Sequence, residues 1–321
     1  MSKELTAPNL NFFLIGAAKG GTTTVHARLS LHPDVFMSPL KEPNFYAAAD
    51  IDPSRFSTAF KAGHPDDLAN YFATRPLSVR QIGFVRDPAQ YGALFDAARP
   101  QHLVVGEAST TYLWSPSAPA AIAAAHPQAK IVICLREPVA RLFSHYQMAR
   151  KYGFTTESLL DAVATDQRQP DPSWGRSELF VELGLYAAQV DRWLAAFPAE
   201  QICILRTEQL SAASTWSQLQ QWLGLEPRPL ELERRANTAG RARFERLNAW
   251  LTQSGTKQRI APLLGRLLPP RAKQKVLGWY FTSKGLPQLT AADRAALEPI
   301  FAADQARLEE QLASSKVFSV S

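Results

Sequence analysis

One segment constrains this sequence more than any other, because an apolar run of strand length leads into a glycine-containing turn and then into a helix. The run extends from Leu10 to Ala17, and the turn contains Gly16, Gly20 and Gly21. Thr22 or Thr23 can cap the helix that follows. The unpaired N–H groups and the positive dipole end at a helix N-terminus attract anions, so the segment predicts a phosphate-binding loop.

Lys19 is the basic side chain of this loop. It precedes Gly20, Gly21 and Thr22. In the Walker A pattern the lysine follows the last glycine and directly precedes Ser or Thr, so a conventional ATPase or kinase loop is disfavoured. For this segment taken alone, an ordinary strand-turn-helix joint is the alternative.

The size and composition are typical of a globular protein, with 321 residues, of which 46% are hydrophobic and 20% charged. We expect one domain over residues 1–321. No apolar stretch approaches the length needed to span a bilayer, and the N-terminal residues lack the pattern of a secretory signal. Cys134 and Cys203 each lie in an apolar run and suggest neither a disulfide nor a metal site, which favours a cytoplasmic location.

Strand and helix patterns alternate along the chain. The strand candidates are Leu10–Ala17, Val35–Met37, Leu103–Glu107, Lys130–Leu135 and Gln201–Leu205. The helix candidates are Thr22–Leu31, Val139–Tyr152, Glu178–Phe197, Ala213–Leu223, Phe244–Thr252 and Ala291–Leu312, the last kinked or divided by Pro299. This alternation predicts an α/β fold with a central parallel sheet and helices on both faces. Residues 47–99 predict an irregular excursion and Gln167–Arg176 a loop.

Basic residues are concentrated in one part of the chain. The segment from Arg234 to Lys275 contains 11 lysine and arginine residues and one acidic residue, Glu245, whereas the net charge of the whole chain is +6. Together these charges can attract an acidic polymer or an anionic membrane surface, and the alternative is a solvated helical face. Aromatic side chains are sparse here and no nucleic-acid-binding module is recognisable, so nucleic acid is disfavoured as a partner.

A second segment, KIVICLREPVARLFSHY at residues 130–146, has the pattern of another anion site. A buried strand ends at Arg136, Pro138 begins a helix, and Ser144 lies two turns into that helix. Ligands of open α/β sheets bind beyond the carboxyl ends of the strands, where a guanidinium and a hydroxyl can bind a second phosphate. Taken alone, Arg136 could equally pair with Glu137 or with a helix terminus.

Five segments together resemble the sulfotransferases that use 3′-phosphoadenosine 5′-phosphosulfate (PAPS), especially the heparan-sulfate-like and bacterial carbohydrate branch. IGAAKGGTTTVHARLSLHPDV is similar to the 5′-phosphosulfate loop of that family, and LREPVARLFSHY to its 3′-phosphate motif. MSPLKEPNFY resembles the segment with the catalytic glutamate, GEASTTYL the segment that lines donor and acceptor, and SKGLPQL the loop that closes over the donor. The resemblance covers nearly the whole chain and implies a P-loop-like α/β sandwich.

The resemblance also implies roles for individual residues. Lys19 would contact the phosphosulfate bridge and take part in catalysis, while Arg136 and Ser144 would bind the 3′-phosphate. The 5′-phosphate would be held by Gly20, Gly21, Thr22 and Thr23. A donor-closing loop at about 281–289 would contribute Ser283, Lys284 and Gly285. The chain departs from the family pattern where it has Leu286 in place of arginine, Ala108 in place of lysine and Asn44 in place of histidine.

Glu42 is the general base that the resemblance implies. Sulfuryl transfer needs a base on the attacking hydroxyl and positive charge at the leaving phosphate, with the attacking and leaving atoms roughly in line. An apolar wall of Phe45 and Tyr46 would raise the pKa of the Glu42 carboxyl, whereas a close Lys41 would lower it. From the residues alone, a surface salt bridge with Lys41 is the alternative, and Glu107 is the competing carboxylate.

We therefore predict a PAPS-dependent sulfotransferase that releases 3′-phosphoadenosine 5′-phosphate (PAP) and requires no metal. The acceptor would be a hydroxyl of a glycan, a glycolipid or a glycosylated small molecule, and it could be acidic or displayed at a membrane. A nucleotide-dependent phosphotransferase is disfavoured by the position of Lys19 and by the lack of an evident Mg²⁺-binding aspartate. Two alternatives stay open: a sulfotransferase acting on other small molecules or natural products, and a PAP- or PAPS-binding protein without catalysis, which would not need Glu42.

Overall fold

Six parallel strands form the central sheet of the protein. The computed structural model describes residues 10–64, 67–231, 241–256, 279–282 and 285–320. Its strands are β1 Phe12–Gly16, β2 Val35–Met37, β3 Leu40–Lys41, β4 Arg80–Gln81, β5 Val104–Ala108, β6 Lys130–Leu135, β7 Ile202–Arg206, β8 Arg241–Ala242, β9 Phe281–Thr282 and β10 Phe318–Ser319. The central sheet has the order β2-β5-β1-β6-β7-β10. β3 pairs in parallel with β4, and β8 pairs antiparallel with β9.

Helices pack on both faces of this sheet. They are α1 Thr22–Leu29, α2 Thr58–Gly63, α3 Leu68–Ala73, α4 Pro88–Ala93, α5 Thr111–Trp114, α6 Ala118–Ala125, α7 Pro138–Tyr152, α8 Leu159–Gln167, α9 Ala187–Ala196, α10 Ala213–Leu223, α11 Glu245–Gln253 and α12 Ala291–Ser314. Phe13 and Ile15 of β1 belong to the core that includes α5, α6 and α9, whereas Phe12 and Leu14 belong to the core that includes α1 and α10. The predicted α/β sandwich around a parallel sheet is confirmed.

The central strands are buried from both sides, which explains their continuous apolar sequence. Phe12 to Ile15 of β1 and Ile131 to Leu135 of β6 are fully buried. Successive side chains of a strand point to opposite faces, so both faces must be apolar when helices cover both. Accordingly, β2 and β6 have the predicted bounds, and β1, β5 and β7 differ from theirs by one or two residues.

The predicted helix over Glu178–Phe197 is wrong in its first half. The chain there forms only a short 3₁₀ helix at Glu182–Gly184, and α9 begins at Ala187. Two distant carboxylates replace the missing helical hydrogen bonds. Asp166 accepts from the N–H groups of Glu178 and Phe180, both at 2.8 Å, and Asp304 accepts from the N–H groups at the start of α9. These tertiary contacts override the local helical pattern.

Pro299 does not divide the last helix. α12 runs continuously from Ala291 to Ser314 with Pro299 inside it. Proline deprives the carbonyl four residues earlier of its hydrogen bond, and here that residue is Ala295, which is exposed. Water can therefore replace the lost partner, while Leu297, Phe301 and Leu308 anchor the helix by burial.

The stretch 47–99 contains more regular structure than predicted. It includes α2, α3, α4 and β4, none longer than six residues. Elements this short show no periodic pattern, but side-chain caps mark two of the helices. Ser57 Oγ accepts from the N–H of Phe60, and Asp87 Oδ1 accepts from the N–H of Ala89.

Two further expectations concern the chain as a whole. Both cysteines are free and buried. Within the described ranges, no helix is long and apolar enough to cross a membrane. The single-domain organisation over residues 1–321 stays a prediction.

Candidate active site

Three loops meet beyond the carboxyl end of β1. β1 lies between β5 and β6, so the chain builds the sheet to one side after β1 and crosses to the other side after β5. The loops that follow these three strands contain Lys19, Thr110 and Arg136. Ligands of open α/β sheets bind at such a reversal of strand order. The topology therefore brings the two predicted anion sites to one edge of the sheet.

Two glycines allow the loop after β1 to lie against its neighbours. A Cβ atom at Gly20 would lie 2.3 Å from the carbonyl oxygen of Cys134, and Gly21 has a φ of +98°. Ala17 N donates to the Cys134 carbonyl at 2.6 Å, and Thr207 Oγ1 donates to the Gly20 carbonyl at 2.6 Å. These hydrogen bonds fix the loop to β6 and to the segment after β7.

The N-terminus of α1 is open to an anion. Gly21 is the N-cap residue and no side chain caps the helix, so the expectation that Thr22 or Thr23 caps it is wrong. Glycine at the N-cap leaves both threonines inside the first turn. In the part of the chain that the structure describes, their N–H groups have no hydrogen-bond acceptor. These N–H groups are the ones that bind phosphate oxygens at helix N-termini.

Lys19 lies in the same loop, with a left-handed backbone conformation at φ +68°. Its Nζ is 3.7 Å from Sδ of Met148 on α7. Burial lowers the pKa of Lys19 to about 8, a shift that Glu42 opposes and Arg136 reinforces. A bound anion would favour the charged form of Lys19, so anion binding and protonation of this lysine are coupled.

Arg136 begins the loop after β6, and its guanidinium makes no hydrogen bond or ion pair with any described residue. The alternative partner, Glu137, is engaged elsewhere. It accepts from two N–H groups in the first turn of α7 at 2.8 and 2.9 Å and lies 3.1 Å from Arg294. Ser144 lies half-buried in the second turn of α7. Arg136 is therefore available to an anion beside α7.

The late loop at about 281–289 approaches the same helix. Gln147 of α7, one turn beyond Ser144, donates from Nε2 to the Pro287 carbonyl at 3.1 Å. Gly285 has a φ of +64°. Ser283 and Lys284 lie outside the described residues, so Gly285 alone of the three predicted donor-closing residues can be located.

Glu42 follows β3, and two hydrogen bonds orient its carboxylate. Lys41 Nζ lies 2.6 Å from Oε1, and Thr110 Oγ1 donates to Oε2 at 3.1 Å. The Lys41 and Glu42 side chains are only 3% and 14% exposed, so this is a largely buried pair and not a surface salt bridge. Burial raises the pKa of Glu42, but the charge of Lys41 and the two hydrogen bonds outweigh burial and lower it overall. Glu42 is thus ionised at neutral pH.

Glu107, the competing carboxylate, is fully buried among hydroxyl groups. Tyr91 and Tyr112 donate to Oε1 at 3.0 and 2.5 Å, and Ser109 donates to Oε2 at 2.7 Å. Burial raises the pKa of Glu107 to about 7. Ser109 Oγ also accepts from Asn44 N at 3.1 Å. Glu107 thus supports the loop after β3 through the side-chain hydroxyls that donate to it.

Asn44 occupies the position at which the family pattern has histidine. Its Nδ2 donates to the carbonyls of Glu42 and Gly83, both at 2.8 Å, and Thr111 Oγ1 donates to its Oδ1 at 2.7 Å. Glu42 and Asn44 both have positive φ, at +64° and +56°. The amide therefore holds a strained loop in place, and Asn44 is only 3% exposed.

Sequence reasoning missed two titratable residues that interact with this group. His64 contributes to the lowered pKa of Glu42. Glu42 and Glu178 in turn affect the pKa of His64. Glu178 lies 3.3 Å from Nε2 of His145, measured from Oε2. No motif marks either residue, since His64 lies in the stretch 47–99 and Glu178 lies in the segment assigned to a helix.

Part of the basic segment can be located. Residues 232–240 and 257–278 lie outside the described ranges, while Arg243 and Arg246 are exposed beside α11 and on it. α11 is attached to the end of α7, because Asn248 Nδ2 donates to the Lys151 carbonyl at 3.1 Å and Thr252 Oγ1 donates to the Tyr152 carbonyl at 3.0 Å. Arg243 and Arg246 are thus held near the end of α7, the helix that contains Ser144.

The fold and the site together define a P-loop-like α/β protein with an anion-binding loop at the carboxyl end of β1. Comparison with known proteins identifies the family. A family model described as "Sulfotransferase family" matches residues 11–229, and the chain belongs to this family. The resemblance inferred from the sequence is confirmed.

Individual relatives agree with this assignment. The chain is 26% identical over 230 residues to carbohydrate sulfotransferase 15 of Rattus norvegicus, an alignment that covers 62% of this chain and 40% of that protein. It is 27% identical over 234 residues to the bifunctional heparan sulfate N-deacetylase/N-sulfotransferase 2 of Homo sapiens, covering 70% of this chain and 23% of that protein. The chain thus spans less than half the length of these relatives. A crystal structure of a sulfotransferase from Alicyclobacillus acidocaldarius matches with a TM-score of 0.64 and 27% identity, covering 95% of this chain and 96% of that one.

Proposed function

We propose that the protein transfers the sulfuryl group of PAPS to a hydroxyl acceptor and releases PAP. The observation that carries this proposal is that the uncapped N-terminus of α1 with Lys19 and the guanidinium of Arg136, which has no partner among the described residues, follow neighbouring strands of one sheet. PAPS supplies an activated sulfuryl group and has phosphates at both its 5′ and 3′ positions. A nucleotide without a 3′-phosphate would leave Arg136 without a partner.

The residues fit such a donor. The 5′-phosphate is assigned to the loop after β1, where Gly20 and Gly21 pack so closely against Cys134 and Leu210 that a Cβ atom would lie within 2.3 and 2.6 Å of them. Its proposed ligands are Lys19, Gly20, Gly21, Thr22 and Thr23. The 3′-phosphate is assigned to Arg136 and Ser144. Ser283, Lys284 and Gly285 are proposed to close over the nucleotide.

Glu42 is the proposed general base. Its carboxylate is ionised and held by Lys41 and Thr110, so it can accept the proton of an acceptor hydroxyl without first being reoriented. Lys19 provides the positive charge that stabilises the leaving phosphate. Glu42 and Lys19 interact electrostatically, which is consistent with a base and a leaving-group cation on either side of one reacting centre.

The acceptor is proposed to be a hydroxyl of a glycan, a glycolipid or a glycosylated small molecule. The names of the carbohydrate and heparan sulfate relatives support this class. The exposed Arg243 and Arg246 support attraction of an acceptor that is acidic at a distance from the reacting hydroxyl, or that is displayed at an anionic membrane. A cytoplasmic location and independence of metal stay predictions.

A PAP-binding protein without catalysis is the second candidate from the sequence. The buried Lys41–Glu42 pair argues against it, because burying a charged pair costs desolvation energy that donor binding alone does not require. The test is a screen of sugar and glycolipid acceptors with sulfur-labelled PAPS, with Glu42→Gln as the control protein. Labelled product formed by the wild type and largely lost in the control supports the proposal. PAP binding with no transfer to any acceptor would favour the non-catalytic alternative.

A further inference from the structure

We propose that Glu178 and His64 form an acceptor subsite beside Glu42 that binds hydrogen-bond donors and excludes anionic groups. This inference rests on the proposed function, since it concerns the acceptor of the same reaction. The acceptor ring would be uncharged or cationic next to the hydroxyl that is sulfated.

One chain of contacts connects Glu178 to the donor loop. Oε2 of Glu178 is 3.3 Å from Nε2 of His145 on α7. Met148 lies one turn further along the same face of α7 and contacts Nζ of Lys19 at 3.7 Å. Lys19 and His145 also interact electrostatically. Glu178 is therefore connected to Lys19 of the phosphate loop through two residues on one face of α7.

A second, independent route connects Glu178 to the proposed base. His64 interacts electrostatically with both Glu42 and Glu178. The His64 ring stacks on Phe60 at a centroid distance of 4.3 Å. His64 thus couples electrostatically to two carboxylates that come from segments more than 130 residues apart in sequence.

The loop that carries Glu178 is held in a strained conformation. Leu179 is buried and has a φ of +54°, a left-handed conformation that disfavours leucine. The two carboxylate oxygens of Asp166 bind the N–H groups on either side of it, both at 2.8 Å. Strain that the surroundings maintain in this way is typical of positions whose side chains are oriented for function.

The protonation of both histidines follows from their partners. Arg141 can only donate, so its contact with Nδ1 of His145 at 3.4 Å assigns the proton of the neutral ring to Nε2, which faces Glu178. Nδ1 of His64 lies 3.0 Å from the Phe60 carbonyl, which can only accept, so Nε2 of neutral His64 is an acceptor. Burial lowers the pKa of both histidines, which favours these neutral forms.

These groups offer hydrogen-bond acceptors and negative charge. The Glu178 side chain is 24% exposed, and its Oε1 has no hydrogen-bond partner in the described part of the chain. A carboxylate does not attract the anionic donor, so donor binding does not explain the presence of Glu178. It suits acceptor hydroxyls or an ammonium group, whereas a carboxylate or sulfate on the acceptor would face Glu178 and Glu42 together. Basic residues further away, such as Arg246, can still attract acidic parts of a larger acceptor.

The test compares two sugars that differ in charge at one carbon. Transfer from sulfur-labelled PAPS to 4-nitrophenyl β-glucoside and to 4-nitrophenyl β-glucuronide is measured at pH 8, because burial raises the pKa of Glu178 to about 7. We expect the wild type to prefer the glucoside by about tenfold or more in kcat/KM, the size expected for a hydrogen bond to a charged group. Glu178→Gln should reduce this preference to about threefold or less, with unchanged affinity for PAP.

Two further variants keep the outcome interpretable. Glu182→Gln makes the same charge change four residues away at an exposed position and should behave as the wild type. Glu178→Asp retains the charge and should keep a preference for the glucoside even if Glu178→Gln is poorly folded. An unchanged preference in a folded Glu178→Gln protein overturns the subsite and leaves the sulfotransferase proposal intact. Failure of the wild type to transfer to either sugar despite binding PAP overturns the proposed sugar acceptor, and the subsite with it.

Discussion

The donor side and the acceptor side of the proposed site are built from different parts of the protein. On the donor side the main elements are backbone: two glycines, the open N-terminus of α1 and one lysine within a few residues of each other. On the acceptor side the elements are buried or half-buried side chains from distant segments: Glu42, His64, Glu107 and Glu178.

The donor side and the acceptor side should therefore differ in how they tolerate amino-acid substitutions. A backbone cradle depends on the absence of side chains, so almost any substitution at Gly20 would place atoms against the Cys134 carbonyl. The acceptor side depends on pairwise contacts such as those of Glu178 with His145, which individual substitutions can alter. We therefore expect donor binding to be invariant to changes that alter acceptor choice, and the predictions below test this separation.

The largest effect is expected at the base. Glu42→Gln should lower kcat by about two orders of magnitude or more, because general-base catalysis contributes about 10² to 10⁴ in rate. PAP affinity should be nearly unchanged, since Glu42 lies outside the phosphate-binding loops. Steady-state kinetics and calorimetry on the same preparation check both parts. Lys19→Ala is the contrasting variant and should damage binding and turnover together.

Near-normal turnover of Glu42→Gln would contradict the assignment and make Glu107 the next candidate. The hydrogen bonds of Glu107 already argue against that role, because the hydroxyls of Tyr91, Tyr112 and Ser109 donate to its carboxylate. Glu107→Gln should mainly lower the free energy of unfolding, by about 1 to 3 kcal/mol for a buried donor left unsatisfied. Thermal unfolding separates this result from a loss of chemistry.

The next effect concerns the 3′-phosphate. Arg136→Ala should weaken PAP binding by about 1.5 to 3 kcal/mol, the range for a hydrogen bond to a charged group. AMP binding should hardly change, since AMP has no 3′-phosphate. Arg246→Ala, at an exposed position of α11, is the matched control for removing an arginine. Equal losses for PAP and AMP would mean that Arg136 does not recognise the 3′-phosphate.

A pH effect follows from the lowered pKa of Lys19, which is about 8. Below pH 8 the lysine is already charged when PAP arrives, whereas above pH 8 binding must take up a proton. PAP affinity should therefore fall as the pH rises through 8, by up to about tenfold per pH unit. Calorimetry across pH 6.5 to 9.5 measures the slope. Lys19→Arg keeps its charge over this range, so a slope that persists in this variant would contradict the coupling.

The smallest effect is expected from the exposed arginines. Charges at the surface are screened within about 8 Å at physiological ionic strength, so kcat/KM for an acidic acceptor should fall as salt rises, with little change in kcat. The double variant Arg243→Gln and Arg246→Gln should flatten this dependence without loss of fold stability. A kcat/KM that is independent of salt at saturating PAPS would mean that these arginines do not attract the acceptor and only form a solvated surface.

The sequence predicts the donor side better than the acceptor side for a physical reason. The cradle is encoded within residues 10–22, and Arg136 follows a strand that is recognisable by its apolar run. The contacts of Glu178 with His145, and of Asp166 with the N–H groups on either side of Leu179, join segments that no local pattern relates. The same limitation explains the wrong helix over Glu178–Phe197, where distant carboxylates replace helical hydrogen bonds.

Even on the donor side, details depended on tertiary structure. The expectation of a threonine cap on α1 was wrong because Gly21 occupies the N-cap position with a left-handed backbone. On the acceptor side, the pairing of Glu42 with Lys41 could be anticipated from adjacency, but its burial required the surrounding fold. For Lys41 and Glu42, the sequence thus predicts that the two charges are close, whereas their burial, which shifts the pKa of Glu42, depends on the fold.

The most direct test of the account is the affinity of the wild type for PAP relative to AMP and ATP, measured by calorimetry at pH 7. The two anion sites flank one sheet edge, and among these ligands PAP alone presents a phosphate to each. We predict that PAP binds far more tightly than either AMP or ATP, with the difference between PAP and AMP abolished by Arg136→Ala. ATP binding that equals or exceeds PAP binding would contradict a PAPS-type donor site.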